Sequence, residues 1–459
     1  MALRTPELLA PAGSLAMLQT AFAFGATAIY AGQPRYSLRV RNNDFGDLAV
    51  LQQGIEHAHS LGHKFFLVSN IFPHGNKIKS YVQNMAPVVA LKPDAMIMSD
   101  PGLIMMVRET WPEMEIHLSV QANTVNAAAV RFWKSVGISR VILSRELSLD
   151  QVEQIRQDCP DTELEVFVHG ALCIAYSGRC LLSGYFNHRD ANQGSCTNSC
   201  RWDYKTQSGV VDASGDILAP KEAADRVHDL VRDQVYLIEE SQRPGSYMPI
   251  EEDEHGTYVM NSKDLRAIEH VRRLVEIGVD SLKIEGRTKS PYYVARTVQS
   301  YRRAIDDAVA GRELDPALLG QLEGLANRGY TSGFFQRHTP QETQNYLRGY
   351  SESGRSLYVG DVLSYDATRG LAEVRVRNRF AVGDWLEIIH PHGNRDVQLT
   401  AMQNLEGQPM SVAPGSGHVV WLPLAASDVG AFVARYVALQ PDQAPGEAPS
   451  LLAAPGQLA

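Results

Sequence analysis

Short apolar runs of strand length recur through the first two thirds of the chain, and most are followed by a stretch with helical periodicity. The eight runs read ELLAPAG from Glu7, AIYAG from Ala28, KFFLVSN from Lys64, DAMIMSD from Asp94, EIHLSVQ from Glu115, RVILSRE from Arg140, ELEVFVHG from Glu163 and SLKIEGR from Ser281. Eight apolar strands that alternate with helices are typical of a parallel sheet closed into a (β/α)8 barrel. An open doubly wound sheet is the alternative, but it favours an early glycine-rich phosphate loop, and no GxGxxG or Walker-type motif occurs. We therefore predict an α/β fold with a TIM-like barrel over residues 1–340.

The stretch between the seventh and eighth apolar runs is polar and does not read as another barrel unit. Its first part carries cysteines, and its second part is acidic and glycine-bearing, ending in SYMPIEEDEHG. We predict an insertion over residues 171–258, after which the helical pattern NSKDLRAIEHVRRLVEIGVD leads into the eighth strand.

The pattern changes again near Leu357. The runs SLYVGDVLSYD, LAEVRVRNRF, DWLEIIHP and GHVVWLPL alternate apolar and polar residues and are separated by turn residues. Period-two alternation with short turns predicts antiparallel strands, here a small C-terminal β-barrel domain over residues 355–440. Residues 441–459 are rich in Pro, Ala and Gly, which predicts a disordered tail.

In a (β/α)8 barrel the side chains that follow each strand face one common mouth, where catalysis takes place, and here most of them are polar. The candidate catalytic residues are Asn70, His169 and Glu285. The candidate substrate-binding residues are Arg35, Arg39, Arg41, Gln121, Arg145, Arg287 and Lys289. Because guanidinium groups bind carboxylates and phosphates bidentately, this cationic mouth indicates an anionic substrate, an RNA backbone or both. Surface charges paired with nearby acids are the alternative for some of these arginines.

Four of the five cysteines lie in one stretch, GALCIAYSGRCLLSGYFNHRDANQGSCTNSCRW. The spacing of Cys173, Cys180, Cys196 and Cys200 is C-x6-C-x15-C-x3-C, which lacks the C-x2-C pairs that zinc ribbons favour. Four thiolates from separate loops are typical of iron–sulfur clusters. Zinc and unligated thiols remain alternatives. We expect Cys159, which stands apart from the other four, to be a packing residue.

The net charge of −9 argues against a protein that coats nucleic acid non-specifically, although it leaves room for a local basic face. No stretch approaches the roughly 20 apolar residues that a membrane span needs. The start, MALRTPELLAPAG, lacks the pattern of a secretory signal. We therefore expect a cytoplasmic protein without a membrane partner.

The segment EVFVHGALCIAYSGRCLLS resembles the signature of the U32 family, whose members were first labelled collagenase-like peptidases. Further motifs are similar to one branch of that family, the prephenate-dependent tRNA uridine-34 hydroxylases. These motifs are YAGQPRYSLRVRNNDF, IMSDPGLIM, HLSVQAN, VILSRELSL, NQGSCTNSCRW, EDEHGTYVMNSKDL, SLKIEGRTKS and RGYTSGF. The similarity covers nearly the whole chain apart from the tail.

This resemblance implies hydroxylation of the wobble uridine at C5, giving 5-hydroxyuridine, with prephenate as co-substrate and no need for molecular oxygen. It also implies a [4Fe–4S] cluster, because the four cysteines of the family motif correspond to Cys173, Cys180, Cys196 and Cys200. The implied partner is the anticodon loop of tRNA. Arg39, Arg41 and Lys289 would then contact its phosphates.

Two other functions stay open at this point. One is the peptidase activity of the family's older label, although no G-x-S-x-G elbow or other recognisable hydrolase nucleophile motif occurs. The other is a non-catalytic iron–sulfur scaffold that presents RNA to a second protein.

Overall fold

The computed structural model describes residues 3–33, 35–38, 43–172, 263–325, 329–336 and 356–436, and in addition short strands between residues 210 and 258. The chain divides into two compact units, one built on residues 1–322 with 326–352 and the other on 323–325 with 353–459. Several predicted features lie outside the described residues, namely Arg39, Arg41, Cys173, Cys180, Cys196, Cys200 and the tail 441–459.

The first unit contains a closed ring of parallel strands. The strands described in this unit are β1 (Glu7–Pro11), β2 (Ala28–Gly32), β3 (Lys64–Ser69), β4 (Ala95–Met98), β5 (Ile116–Leu118), β6 (Arg140–Ile142), β7 (Glu163–Ala171), β8 (Val210–Val211), β9 (Ile217–Leu218), β10 (Tyr236–Glu239), β11 (Tyr247–Asp253), β12 (Gly256–Tyr258), β13 (Asp264–Arg266), β14 (Ser281–Ile284) and β15 (Tyr330–Thr331). Strands β1 to β7 pair in parallel, each with the next, and β14 pairs in parallel with both β7 and β1. These pairings confirm the predicted TIM-like barrel, with β14 as its eighth strand.

Helices follow most of the barrel strands along the chain. Those described are α1 (Leu15–Ala23), α2 (Leu48–Ser60), α3 (Asn76–Lys79), α4 (Tyr81–Val89), α5 (Pro101–Thr110), α6 (Ala127–Ser135), α7 (Leu149–Asp158), α8 (Val271–Ile277), α9 (Pro291–Val309) and α10 (Ala317–Glu323). Many begin at a polar residue whose side chain accepts a backbone N–H of the first turn, which satisfies a donor that the helix itself leaves open. These N-cap residues are Ser14, Asp47, Asp100, Asn126, Ser148 and Ser290.

The segment in which the chain returns from the insertion after β7 differs from the sequence prediction. The stretch predicted as one helix from Asn261 onward contains the short strand β13 before α8 begins. Strand β13 pairs antiparallel with β7, with Asp264 opposite Ala171, and it pairs in parallel with β15. Because three residues are too few to show a period, tertiary pairing decides the conformation of this segment.

The second unit is an antiparallel β structure. Its strands are β16 (Ser356–Asp366), β17 (Leu371–Val376), β18 (Phe380–Ala381), β19 (Trp385–Ile389), β20 (Arg395–Gln398), β21 (Val412–Ala413), β22 (Val419–Leu422) and β23 (Phe432–Tyr436). They form a six-stranded sheet in the order β20-β19-β23-β16-β17-β22 and a two-stranded sheet of β18 and β21. Val359, Val374, Phe380, Leu386 and Val433 are fully buried in its core. The predicted antiparallel character of this region is confirmed.

Candidate active site

A network of buried charges, the barrel charge network, lies inside the first unit and consists of Glu7, Arg140, Glu165 and Lys283. Arg140 donates from Nη1 to Glu7 Oε1 at 2.6 Å and to Glu165 Oε2 at 3.3 Å. Lys283 on β14 donates from Nζ to the other oxygen of Glu165 at 2.7 Å. Burial alone would raise the pKa of Glu165, but the Lys283 and Arg140 cations hold that pKa below its ordinary value. The Glu165 carboxylate is therefore ionised although it is fully buried.

Lys283 connects this network to the cationic side of the mouth. Its Nζ lies 4.3 Å from the ring centroid of Tyr30 and 5.4 Å from that of Phe167. The guanidinium carbon of Arg287 lies 5.6 Å from the Tyr30 ring, and that of Arg145 lies 3.7 Å from the Phe167 ring. The structure thus brings the predicted residues Arg145 and Arg287 together around two rings that also contact Lys283. Such a site can attract a small anion with more than one negative group.

Arg287 is held in place by a serine and by a close backbone approach. Its Nη1 donates to Ser37 Oγ at 2.8 Å, and the residue is only 7% exposed. A Cβ atom at Gly32, the last residue of β2, would lie 2.4 Å from Arg287 Nη1 and 2.2 Å from Ser37 Oγ. Only glycine leaves room for this guanidinium beside the strand, which explains the glycine in AIYAG.

Neutral hydrogen-bonding groups follow β3 and β5, on the opposite half of the barrel. Asn70 Nδ2 donates to Ser119 Oγ at 3.3 Å, and Asn70 Oδ1 accepts the backbone N–H of Leu38 at 3.2 Å. The backbone N–H of Gln121 also donates to Ser119 Oγ, and the side-chain oxygen of Gln121 is buried without a partner. The predicted residues Asn70 and Gln121 are therefore joined through Ser119. The mouth has one cationic, aromatic side and one neutral, amide-bearing side.

His169 is turned away from the ring of mouth residues. The register between β7 and β14 shifts after Phe167, so that His169 rather than Val168 lies opposite Ile284. Its ring packs among three tyrosines, with centroids at 5.9 Å from Tyr293, 5.5 Å from Tyr301 and 5.4 Å from Tyr330. A bulge reverses the side of a strand on which the next residue points, and it places His169 against the α9 tyrosines.

Burial governs the protonation of His169. Removal from water, with smaller contributions from Lys289 and Arg266, lowers the pKa of His169 from 6.5 to about 3. The imidazole is therefore neutral at pH 7. Because the unfolded chain takes up this proton first, His169 lowers the stability of the folded state as the pH falls below 6.5. The catalytic role predicted for His169 stays a prediction.

The remaining predicted mouth residues lie on loops at the same end of the barrel. Glu285 follows β14 directly, and its backbone oxygen accepts the hydroxyl of Tyr293 at 2.9 Å. Lys289 is half-buried, with Nζ 5.3 Å from the ring of Tyr293. Arg35 is exposed in the loop after β2, where its Nη2 donates to Ser80 Oγ at 3.3 Å. These positions leave Arg35 and Lys289 accessible to a large ligand.

The predicted cysteine ligands follow the end of β7. Leu172, the last described residue before Cys173, is 7% exposed, so the segment leaves the barrel from a fixed point at the mouth. Cys159 is buried at the end of α7, where its Sγ lies 3.6 Å from the carbonyl oxygen of Ala127. Within the described ranges, no group of three or more His, Cys, Asp or Glu side chains could hold a metal ion.

Comparison with protein families assigns the fold to a known group. The model of peptidase family U32 matches residues 13–345, and the model of the U32 C-terminal domain matches residues 355–433. The chain belongs to peptidase family U32. This assignment confirms the resemblance of its motifs, and the two matched regions fall in the barrel and in the antiparallel unit.

Curated relatives within this U32 group cover nearly the whole chain. It is 58% identical over 426 residues to "tRNA hydroxylation protein P" of Escherichia coli, covering 91% of this chain and 94% of that protein. The protein of the same name in Haemophilus influenzae is 56% identical, with 91% and 93% covered. A 23S rRNA 5-hydroxycytidine synthase of Escherichia coli is 29% identical, with 79% of this chain and 47% of that protein covered.

Sequence reasoning did not predict that Lys283 is buried and paired inside the barrel. The signal was present, because a lysine in the centre of the apolar run SLKIEGR has to be paired inside the fold. Its partner Glu165 is 118 residues away along the chain. No helix in the described part of the chain is long and apolar enough to cross a membrane.

Proposed function

We propose that this protein hydroxylates C5 of the wobble uridine, nucleotide 34 of tRNA, to give 5-hydroxyuridine. The observation that carries the proposal is the 58% identity to tRNA hydroxylation protein P, which extends over 91% of this chain. The two-sided mouth supports it, since a base turned out of an anticodon loop needs neutral hydrogen-bonding groups and its backbone needs cations. Because tRNA is modified in the cytoplasm, we also propose a cytoplasmic location.

The cofactor proposed is a [4Fe–4S] cluster held by Cys173, Cys180, Cys196 and Cys200. Four cysteine thiolates are the donor set that usually holds such a cluster. The fixed position of Leu172 at the mouth supports this assignment, because Cys173 follows it directly. When bound, the cluster supplies one-electron chemistry.

The co-substrate proposed is prephenate, a dicarboxylate, in a reaction that does not use molecular oxygen. Arg145 and Arg287 would hold its carboxylates, because both guanidinium groups lie over buried rings at the mouth. Lys283 beneath them would add positive potential. Asn70 and Gln121 would contact the base from the neutral side, and Glu285, a carboxylate at the mouth, would move a proton.

Alanine in place of Arg145 or Arg287 should weaken prephenate binding by about 2–4 kcal/mol, because a partly buried carboxylate is left unpaired. Calorimetric titration of the purified protein with prephenate measures this loss. Arg131→Ala is the matched control, since this arginine is exposed on α6. If both mouth variants bind prephenate as the unaltered protein does, the anion site lies elsewhere.

The phosphates beside the wobble base would be bound by Arg35, Arg39, Arg41 and Lys289. Alanine at any of the last three should flatten the dependence of tRNA affinity on salt by about 0.7 in log–log slope, because one phosphate contact is lost. Fluorescence titrations at several salt concentrations measure the slope. If the slope is unchanged in Arg39→Ala, Arg41→Ala and Lys289→Ala, the loops after β2 and β14 do not bind the RNA phosphates.

The wobble nucleosides of a deletion strain test the proposed function directly. Mass spectrometry of purified tRNA should find unmodified uridine at nucleotide 34, and the gene for this chain should restore the 5-hydroxyuridine derivatives. Intact modification together with a lost proteolytic activity would instead support the peptidase function. Intact modification with no other defect would favour the non-catalytic scaffold.

A further inference from the structure

The second unit carries four of its six described arginines in one short stretch, residues 369–379. We call this group the arginine strip, and it consists of Arg369, Arg375, Arg377 and Arg379. Strand β17 supplies its centre and is paired on both edges, with β16 and with β22. Val374 and Val376 are fully buried on one face of the strand, so Arg375 lies on the opposite face. Arg375 thus lies on a strand that is paired on both edges, and the other three arginines lie in the segments directly before and after that strand.

Two acids beside the strip are already engaged, and one of them, Glu373 on β17, accepts the hydroxyl of Ser364 at 2.7 Å. Asp361 lies opposite Arg375 in register, yet its Oδ2 accepts from Arg377 Nε at 2.8 Å and from Arg377 Nη2 at 2.7 Å. Arg375 and Arg379 are exposed, and the side chain of neither forms an ion pair or hydrogen bond with any described residue. The guanidinium groups of Arg375 and Arg379 are therefore available to an external anion.

An aromatic side chain lies beside the strip. Trp421 on β22 is half-buried, and the guanidinium carbon of Arg369 lies 5.1 Å from its ring. The indole Nε1 of Trp421 is buried without a hydrogen-bond partner. Arginines interleaved with an aromatic ring are typical of surfaces that bind an RNA strand, where the cations contact phosphates and the ring can stack.

From these observations we infer that the arginine strip binds the phosphate backbone of the tRNA substrate. Planar guanidinium forks match phosphate oxygens bidentately, which makes arginine better suited to this contact than lysine. A protein with a net charge of −9 needs local cationic surfaces of this kind to bind RNA. The inference rests on the proposed function for the identity of the RNA, and it assigns the second unit a role in binding rather than in chemistry.

The test uses the full-length protein with intact tRNA and the double variant Arg375→Ala/Arg379→Ala. Each lost contact should lower the log–log salt slope of tRNA affinity by about 0.7 to 0.9. The KM for tRNA should rise while kcat stays unchanged, because the strip takes no part in the reaction. Arg375→Lys/Arg379→Lys should recover most of the affinity. Arg131→Ala is the matched control, an exposed arginine of the barrel unit whose loss should leave the slope unchanged.

A double variant with the unaltered slope and KM would overturn the inference and leave an acidic protein or solvent as the neighbour of the strip. A slope lowered equally by Arg131→Ala would also overturn it, because any surface arginine would then have the same effect. If the salt slope of tRNA affinity falls in the double variant although the unaltered protein leaves uridine 34 unmodified, that result refutes the proposed function and keeps the inference.

Discussion

Alanine in place of Cys173, Cys180, Cys196 or Cys200 should remove both the bound iron and tRNA hydroxylation. A [4Fe–4S] cluster needs four thiolates, so the loss of one ligand leaves an iron open to solvent and the cluster is lost. Protein purified without air should be brown and carry about four irons per chain. Iron and sulfide analysis of each variant, together with its visible absorption spectrum, measures the change.

Cys159→Ala supplies the internal control for this series. Its thiol is buried at the end of α7 and contacts a backbone carbonyl, so alanine there should keep the iron content and the activity. Stoichiometric zinc in place of iron, in protein kept free of air, would refute the cluster. Full iron content in any of the four alanine variants would remove that cysteine from the ligand set.

Lys283→Met should destabilise the barrel by about 3–5 kcal/mol, because it removes the nearer of the two cations that pair with the buried Glu165 carboxylate. The Glu165 carboxylate, which is fully buried, would then depend on Arg140 alone, at 3.3 Å. Urea unfolding followed by circular dichroism measures the loss in the free energy of unfolding. The transition of the barrel is fitted separately from that of the second unit.

Lys134→Met is the matched control for Lys283→Met. Lys134 also pairs with an acid, Asp161, but both side chains are exposed and water screens their interaction. The control should leave the barrel transition where it was. If Lys283→Met shifts that transition no more than Lys134→Met does, the barrel charge network contributes nothing to stability. The double variant Lys283→Met/Glu165→Gln should recover part of the loss, since it removes both charges.

The barrel could be predicted from sequence because each parallel strand is buried on both faces and therefore appears as a continuous apolar run. The arginines of the mouth followed from the same reasoning, since the residues after each strand share one end of the barrel. Arg145 and Arg287 do lie around one pair of rings. The features that could not be predicted from the sequence are those that depend on contacts between segments far apart along the chain.

His169 shows why alternation along a strand has limits. A period of two places it on the same face as Phe167, but the shifted register with β14 turns it to the tyrosines of α9. A bulge leaves no mark on hydrophobic periodicity, because it is set by the partner strand. The pairing of Lys283 with Glu165 is hidden for the same reason, and so is the strand β13.

The antiparallel pairing of β13 with β7 fixes the two ends of the cysteine-bearing excursion side by side, with Ala171 opposite Asp264. The scaffold therefore holds those ends together, and the entropic cost of closing the chain between them grows only slowly with its length. A change in the length of this segment would therefore leave the pairing of the parallel ring intact, because both of its ends are held by β7 and β13.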